Sequence, residues 1–257
     1  MHRTARRRPG GAVTAALATT ALVTSAILGP LGTGAAEAAP PAPELEYEMD
    51  GISEGTVADS SGNGHDGTLV GDVEETTGPD GSGAIQLTGG HVELPGGVLG
   101  DSEDVTVQTR MRWDGGEEPW QWIFALGSDD EHYLFATPSH AEDAMRTAVT
   151  RSGGGAESQL TGYDALPSER WMTLTVVLDS DAQMLTTYVD GAAVSSAATD
   201  VTAQELVSAA ADSTGMVGAS FYPDPPFRGA IDDFRIYRAA LDEKQIADFQ
   251  DGEVPVL

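Results

Sequence analysis

Oxygen-bearing side chains recur at every second position in Asp59-Ser60-Ser61-Gly62-Asn63-Gly64-His65-Asp66, where Asp59, Ser61 and Asn63 alternate with glycines that turn tightly. Such spacing suits a hard cation, which takes about six to eight oxygens, backbone carbonyls included. It equally suits an Asx-rich turn held by its own hydrogen bonds, the simpler account on local sequence alone. It is not an EF-hand loop, because Val70 at the twelfth position carries no carboxylate. A second run, Glu44, Glu46 and Glu48 with Asp50 in step, puts carboxylates on one face of an extended strand. A retaining glycosidase needs two carboxyls about 5–5.5 Å apart with separated pKa values. A charged outer face on an edge strand explains this row more simply.

The third group is aromatic. Trp120-Gln121-Trp122 points two indoles to one strand face, beside Asp129, Asp130, Glu131 and His132. Phe221-Tyr222-Pro223-Asp224-Pro225-Pro226-Phe227 is a stiff loop that holds Tyr222 and Asp224 at low entropic cost. Flat aromatic rings stack on the apolar C–H faces of sugars while acids bond the hydroxyls. The ligand-facing set is therefore Trp120, Trp122, Asp129, Tyr222 and Asp224. Core packing competes for Trp122 and claims Phe227, Trp113 and Trp171. His65, His91, His132 and His140 show no paired spacing for zinc or a triad. There is no Gly-x-Ser-x-Gly elbow and no phosphate loop.

Composition narrows the field further. The 257 residues contain no Cys, which excludes thiol nucleophiles, Cys-held zinc and disulfide scaffolds. A formal charge of −28, from 13 basic and 41 acidic residues, argues against nucleic-acid partners and docking on anionic lipid. Residues 1–38 read as a secretory signal: Arg3, Arg6, Arg7 and Arg8, an apolar stretch from Ala12 to Leu31, and Ala36-Glu37-Ala38 at the small-x-small cleavage position. Thr14, Thr19, Thr20, Gly29 and Pro30 make that stretch a poor permanent span, so no integral membrane span is expected after cleavage. Loss of its four Arg and one Glu takes the formal charge from −28 to −31. A Pro-rich spacer at 39–43 leads into one domain over 44–250, with a tail at 251–257.

The domain that must position these residues has period two. Val105, Val107, Thr109, Met111 and Trp113 fall on one face, and Thr106, Gln108, Arg110 and Arg112 on the other, giving a half-buried strand. Met172, Leu174, Val176 and Leu178 repeat the pattern, and Val177 makes that strand apolar on both faces near its end. Met184–Val189, Asp190-Gly191 and Ala192–Ser195 form a hairpin. Further strands are expected at Glu44–Met49, Ala84–Leu87, His91–Leu94, Trp122–Leu126, Tyr133–Ala136, Ala144–Thr150, Met216–Ala219 and Ile231–Tyr237. Short helices are expected at Thr202–Ala210, where Thr202 and Glu205 have capping-box spacing, and at Leu241–Phe249. This is an all-β fold, a two-sheet antiparallel jelly-roll sandwich with short peripheral helices.

Five segments in order carry a family resemblance. They are Tyr47-Glu48-Met49-Asp50; Val57–Leu69 with its Asp59–Asp66 loop; Ala84–Leu87 followed by Gly90–Pro95; Trp171–Leu178 with Thr187-Tyr188-Val189-Asp190-Gly191; and Phe227–Leu241. Together they resemble the laminin-G-like, concanavalin A-like lectin jelly rolls of secreted bacterial proteins. The resemblance implies a secreted, non-catalytic module that binds a glycan or polysaccharide. It also implies a structural calcium between the early loop and the first and last strands, with Asp50, Asp59, Asn63, His65 (through its backbone oxygen), Asp232 and Asp233 as ligands. An extracellular protein-interaction domain and a glycoside hydrolase or polysaccharide lyase of the same fold are the alternatives.

Overall fold

The computed structural model describes residues 41–160, 162–207 and 211–250. The expected signal at 1–38, the start of the spacer and the tail at 251–257 lie outside them. In chain order the strands are β1 (Leu45–Tyr47), β2 (Ile52–Ser53), β3 (Thr56–Val57), β4 (Gly67–Val70), β5 (Val73–Thr77), β6 (Gly83–Leu87), β7 (His91–Pro95) and β8 (Val105–Trp113). They continue as β9 (Phe124–Gly127), β10 (Tyr133–Thr137), β11 (Arg146–Thr150), β12 (Ser158–Leu160), β13 (Trp171–Asp179) and β14 (Met184–Val189). The last are β15 (Ala192–Ala198), β16 (Ser213–Val217) and β17 (Gly229–Tyr237), followed by the helix α1 (Glu243–Gln250).

These strands form two antiparallel sheets packed as a concanavalin A-like sandwich. One runs β15-β14-β13-β8-β17-β6-β5, with β1 also paired to β17. The other runs β12-β11-β10-β9-β16-β7-β4-β3-β2. Alternation supplies the core between them: Met111 and Trp113 from β8, Leu174 and Val176 from β13, Phe124 from β9, and Phe234 from β17 are buried in one cluster. Phe124 meets Phe234 edge to face at 6.2 Å. The β14–β15 turn has Asp190 and Gly191 at φ 48° and 76°, the two positive values that a tight hairpin needs.

Several expectations need correction. β8 is not half-buried along its length, since Thr106 and Gln108 on its outer face are also covered. A second apolar layer of Val177, Tyr237, Leu241 and Ile246 lies there, and the Thr106 hydroxyl donates to the Ala239 carbonyl at 2.7 Å. Trp171 is half-exposed rather than core, because the register that buries Met172 turns Trp171 outward, where Arg112 sits 5.6 Å from its ring. The 202–210 helix is a single 3-10 turn, Ala203–Glu205, with the Thr202–Glu205 capping box in place; residues 208–210 lie outside those described. The glutamate row is solvated only at its far end, where Glu48 is exposed. Glu44 pairs with His65 and Arg238, each at 3.0 Å, and Glu46 pairs with Arg235 at 2.9 Å. The free edge of β1 is covered by the Asp59 loop, whose Ser60 N–H donates to the Glu46 carbonyl.

Candidate functional site

The outer face of the second sheet carries the aromatics expected to face a ligand. In β10, Leu134 and Ala136 enter the core while Tyr133 and Phe135 point the other way. Their neighbours on that face, Ala125 of β9 and Ala148 of β11, are small and leave a cleft of about 300 Å³. Trp122, 2% exposed, stacks on Phe135 at 3.8 Å and forms the floor with Tyr133. Trp120, at φ 67°, forms one wall, with the Arg146 guanidinium 5.1 Å from its ring. Tyr222 and Asp224 close the other side from the 221–227 loop. That loop is fixed by the Tyr222 hydroxyl donating to the Asp130 carbonyl at 2.8 Å and the Ser220 hydroxyl donating to Asp224 at 3.0 Å.

Four of the five expected ligand-facing residues thus share one concavity: Trp120, Trp122, Tyr222 and Asp224. Asp129 does not line it; its carboxylate accepts the N–H groups of Glu131 and His132, both at 2.9 Å. Sequence reasoning missed Phe135, Arg146 and Glu157. Phe135 was available from alternation with Tyr133, whereas nothing local marks Glu157, which arrives from beyond the 3-10 turn Gly154–Ala156. The Tyr133 hydroxyl donates to Glu157 at 2.7 Å, and Arg146 stands 4.0 Å from its other oxygen. Burial pushes the Glu157 carboxyl up, more than Tyr133 and Arg146 pull it down. Burial likewise raises Asp224, opposed only by the Ser220 hydroxyl. Two buried donors in this cleft, Trp122 Nε1 and Arg146 Nε, have no hydrogen-bond partner. The cleft offers aromatic faces, two carboxyls and one guanidinium.

The residues expected to hold calcium separate into two places. Asp50, Asp232 and Asp233 line a pocket of about 180 Å³ with Asp80, Ser82 and Arg110. A bulge in β17 between Ile231 and Asp233 is the cause: it keeps Ile231 and Phe234 in the core and turns both acids outward. Asp232 accepts from the Ser82 hydroxyl at 3.0 Å and from Arg110 at 3.3 Å. Burial, then Asp233, pushes the Asp232 carboxyl up to about 6. Asp59, Asn63 and His65 stay in their own loop. Asp59 accepts the N–H groups of Glu46, Ser61 and His65 and the Ser61 hydroxyl. Asn63 donates to the Glu44 carbonyl, and the His65 carbonyl accepts from Tyr47. Among the described residues no three His, Asp or Glu are already arranged around a metal position.

Fold, alternation and cleft together define a lectin-type sandwich. A family profile described as "Concanavalin A-like lectin/glucanases superfamily" matches residues 86–247, and the chain belongs to that superfamily. Domain 4 of a GH43 extracellular arabinanase from Geobacillus stearothermophilus, solved with arabinotriose, is similar over 82% of this chain and 98% of its own, at 22% identity and TM-score 0.68. The binding domain of botulinum neurotoxin serotype D/C is similar over 82% of this chain at 14% identity and TM-score 0.59. A botulinum neurotoxin type C structure, described by the dependence of that toxin's cell entry on interaction with two ganglioside molecules, is similar over 80% of this chain at 13% identity and TM-score 0.55. This chain spans 52% and 50% of those two toxin chains. At these identities the likeness is one of fold. No curated protein matches the sequence. No helix among the described residues is long and apolar enough to cross a membrane.

Proposed function

We propose that this protein is a secreted, non-catalytic, lectin-like module that binds a glycan in the aromatic cleft of its second sheet. One observation carries this: Trp120, Trp122, Tyr133 and Tyr222 converge with Arg146, Glu157 and Asp224 in a single concavity. Rings stack on the C–H faces of a sugar, and the charged groups take its hydroxyls. Trp120 and Tyr222 line a hollow rather than a flat patch, which favours a glycan over a protein surface. The arabinotriose-bound domain and the toxin whose cell entry depends on gangliosides support the same ligand class. The test is a glycan array followed by titration of the hits into wild type and Trp120→Ala. Loss of one stacking wall is expected to weaken binding about tenfold, since such a contact is worth roughly 0.5–1.5 kcal/mol beyond its buried area. A glycan array without hits, or hits indifferent to Trp120, overturns the assignment.

A structural calcium belongs to the same proposal, at Asp50, Asp232 and Asp233 with Asp80 and the Ser82 hydroxyl. These are hard oxygen donors of the type the ion prefers. The pocket collects the carboxyls of Glu48, Asp50, Asp80, Asp232, Asp233 and Asp248 against two guanidiniums, Arg110 and Arg235. A cation there offsets the excess negative charge and ties β17 to the segments before β2 and β6. Asp59 is assigned no part in it, because its carboxylate is already occupied by four hydrogen bonds.

A further inference from the structure

The charge inside the aromatic cleft is unbalanced, and the imbalance selects among glycans. Among the described residues Arg146 is the one cationic side chain lining it; its guanidinium stands 5.1 Å from the Trp120 ring and 4.0 Å from a Glu157 oxygen, with its Nε unpaired. Asp224 has no cationic partner among the described residues; one oxygen accepts from Ser220, and the 221–227 loop keeps the carboxyl half-buried at the cleft wall. The exposed Asp129-Asp130-Glu131 turn adjoins the cleft, since the Asp130 carbonyl is the anchor for Tyr222. An acidic sugar meets this field unfavourably, and a neutral one leaves the Asp224 charge unmatched. An ammonium group is accommodated twice over, by the carboxylate and by ring faces that attract cations. Arg146, 5.1 Å from the Trp120 ring, is a cation already seated on one of these rings.

We infer that the cleft recognises an amino sugar in its protonated form, the ammonium beside Asp224 and the ring stacked between Trp120 and Tyr222. This rests on the glycan-binding proposal above and specifies its ligand class. Burial raises the Asp224 carboxyl, and a cation placed beside it would pull that carboxyl back down.

The experiment is calorimetric titration of glucosamine oligomers and of their fully N-acetylated counterparts at about pH 6, below the usual pKa of an amine and above that of a carboxyl. A neutral pentose oligomer serves as the third ligand. The free-amine oligomer is expected to bind at least about tenfold more tightly than the acetylated one, a difference equivalent to one charge-assisted contact. Added salt should shrink that difference, and Asp224→Asn should abolish it. The Asn variant keeps the acceptor for Ser220, and an unchanged near-UV spectrum confirms its fold. Equal affinity for the amine and its acetylated form overturns the inference. So does an amine preference that survives both Asp224→Asn and Trp120→Ala, because the overall −28 charge then holds the amine. Tight binding of the neutral oligomer alone refutes the amino-sugar inference while leaving glycan binding standing. Absence of binding to all three removes the amino-sugar inference, and the glycan array decides the wider assignment separately.

Discussion

Removing the Asp59 carboxylate tests the division of labour between the loop and the acidic pocket. Asp59 accepts from Glu46 N at 3.0 Å, Ser61 N at 3.0 Å, His65 N at 2.9 Å and Ser61 Oγ at 2.8 Å. It thereby clamps the 59–66 loop over the free edge of β1. Taking about 1 kcal/mol for each of the three lost backbone hydrogen bonds, Asp59→Ala costs about 3 kcal/mol. For a domain of this size that lowers the melting temperature by roughly 6–12 °C. Asp59→Asn should rescue in part, keeping two of the three backbone hydrogen bonds. Its one acceptor oxygen serves Glu46 and Ser61, while its amide presents hydrogens to the His65 N–H and the Ser61 hydroxyl. Partial burial pushes the Asp59 carboxyl up, but the N–H groups of Glu46 and His65 and the Ser61 hydroxyl outweigh it and hold it below the usual range. Its stabilisation is therefore complete above the unfolded-state carboxyl pKa and is lost as pH falls through the lower folded value. The assay is thermal unfolding by circular dichroism from acid to neutral pH, with and without chelator. A shift under about 2 °C for Asp59→Ala, or an Asn variant as stable as wild type, refutes the clamp. A chelator that destabilises wild type but not Asp59→Ala would instead make Asp59 a metal ligand.

Three further outcomes are expected. Calcium should raise the melting temperature and chelator lower it, and Asp232→Asn should remove the response while Asn63→Ala keeps it; thermal scans with and without the ion decide this. Glu157→Gln should raise the melting temperature at neutral pH by about 1–3 °C and weaken glycan binding. The Glu157 carboxyl is raised in the fold, so its favourable contribution holds below the unfolded pKa and is lost as pH rises through the folded value; the amide avoids that loss, and matched pH–stability curves for wild type and variant would contradict it. Gly215→Ala should cost about 3 kcal/mol or more, because Gly215 sits at φ 138° in β16 and a Cβ there collides with the Ala125 carbonyl; a soluble variant with wild-type stability would contradict the register.

Much of the sandwich was legible because period-two patterning and turn chemistry are local. β8 and β14 begin and end where alternation places them, and Asp190-Gly191 makes the expected hairpin. The short strands β2, β3, β4, β5 and β12 were not foreseen. Sequences such as Val73-Glu74-Glu75-Thr76-Thr77 carry little apolar signal, and their pairing partners decide their state. The aromatic site was legible in part because Trp120, Trp122 and Tyr222 are rare, large residues in loop-like settings. Arg146 and Glu157 were not, since their roles arise only when β11 pairs with β10 and β12 with β11. Asp232-Asp233 was visible as an acidic pair, but the bulge that turns both outward leaves no local mark. In the Asp59 loop the features that suit a cation also suit a self-bonded turn, the simpler reading of the local sequence, and the Asp59 oxygens take up those turn hydrogen bonds.

The place of β17 has a consequence for how the chain reaches its native state. β17 lies in the interior of the first sheet, with β8 on one side and β6 and β1 on the other. Leu45 therefore pairs with Ile236, so the first strand of the domain waits for the last. No partial chain emerging from the ribosome holds a finished first sheet until Gly229–Tyr237 has been made. Such long-range closure predicts slow folding that completes late in synthesis. It also brings the two ends of the domain side by side, so that segments fused at either end leave from the same edge.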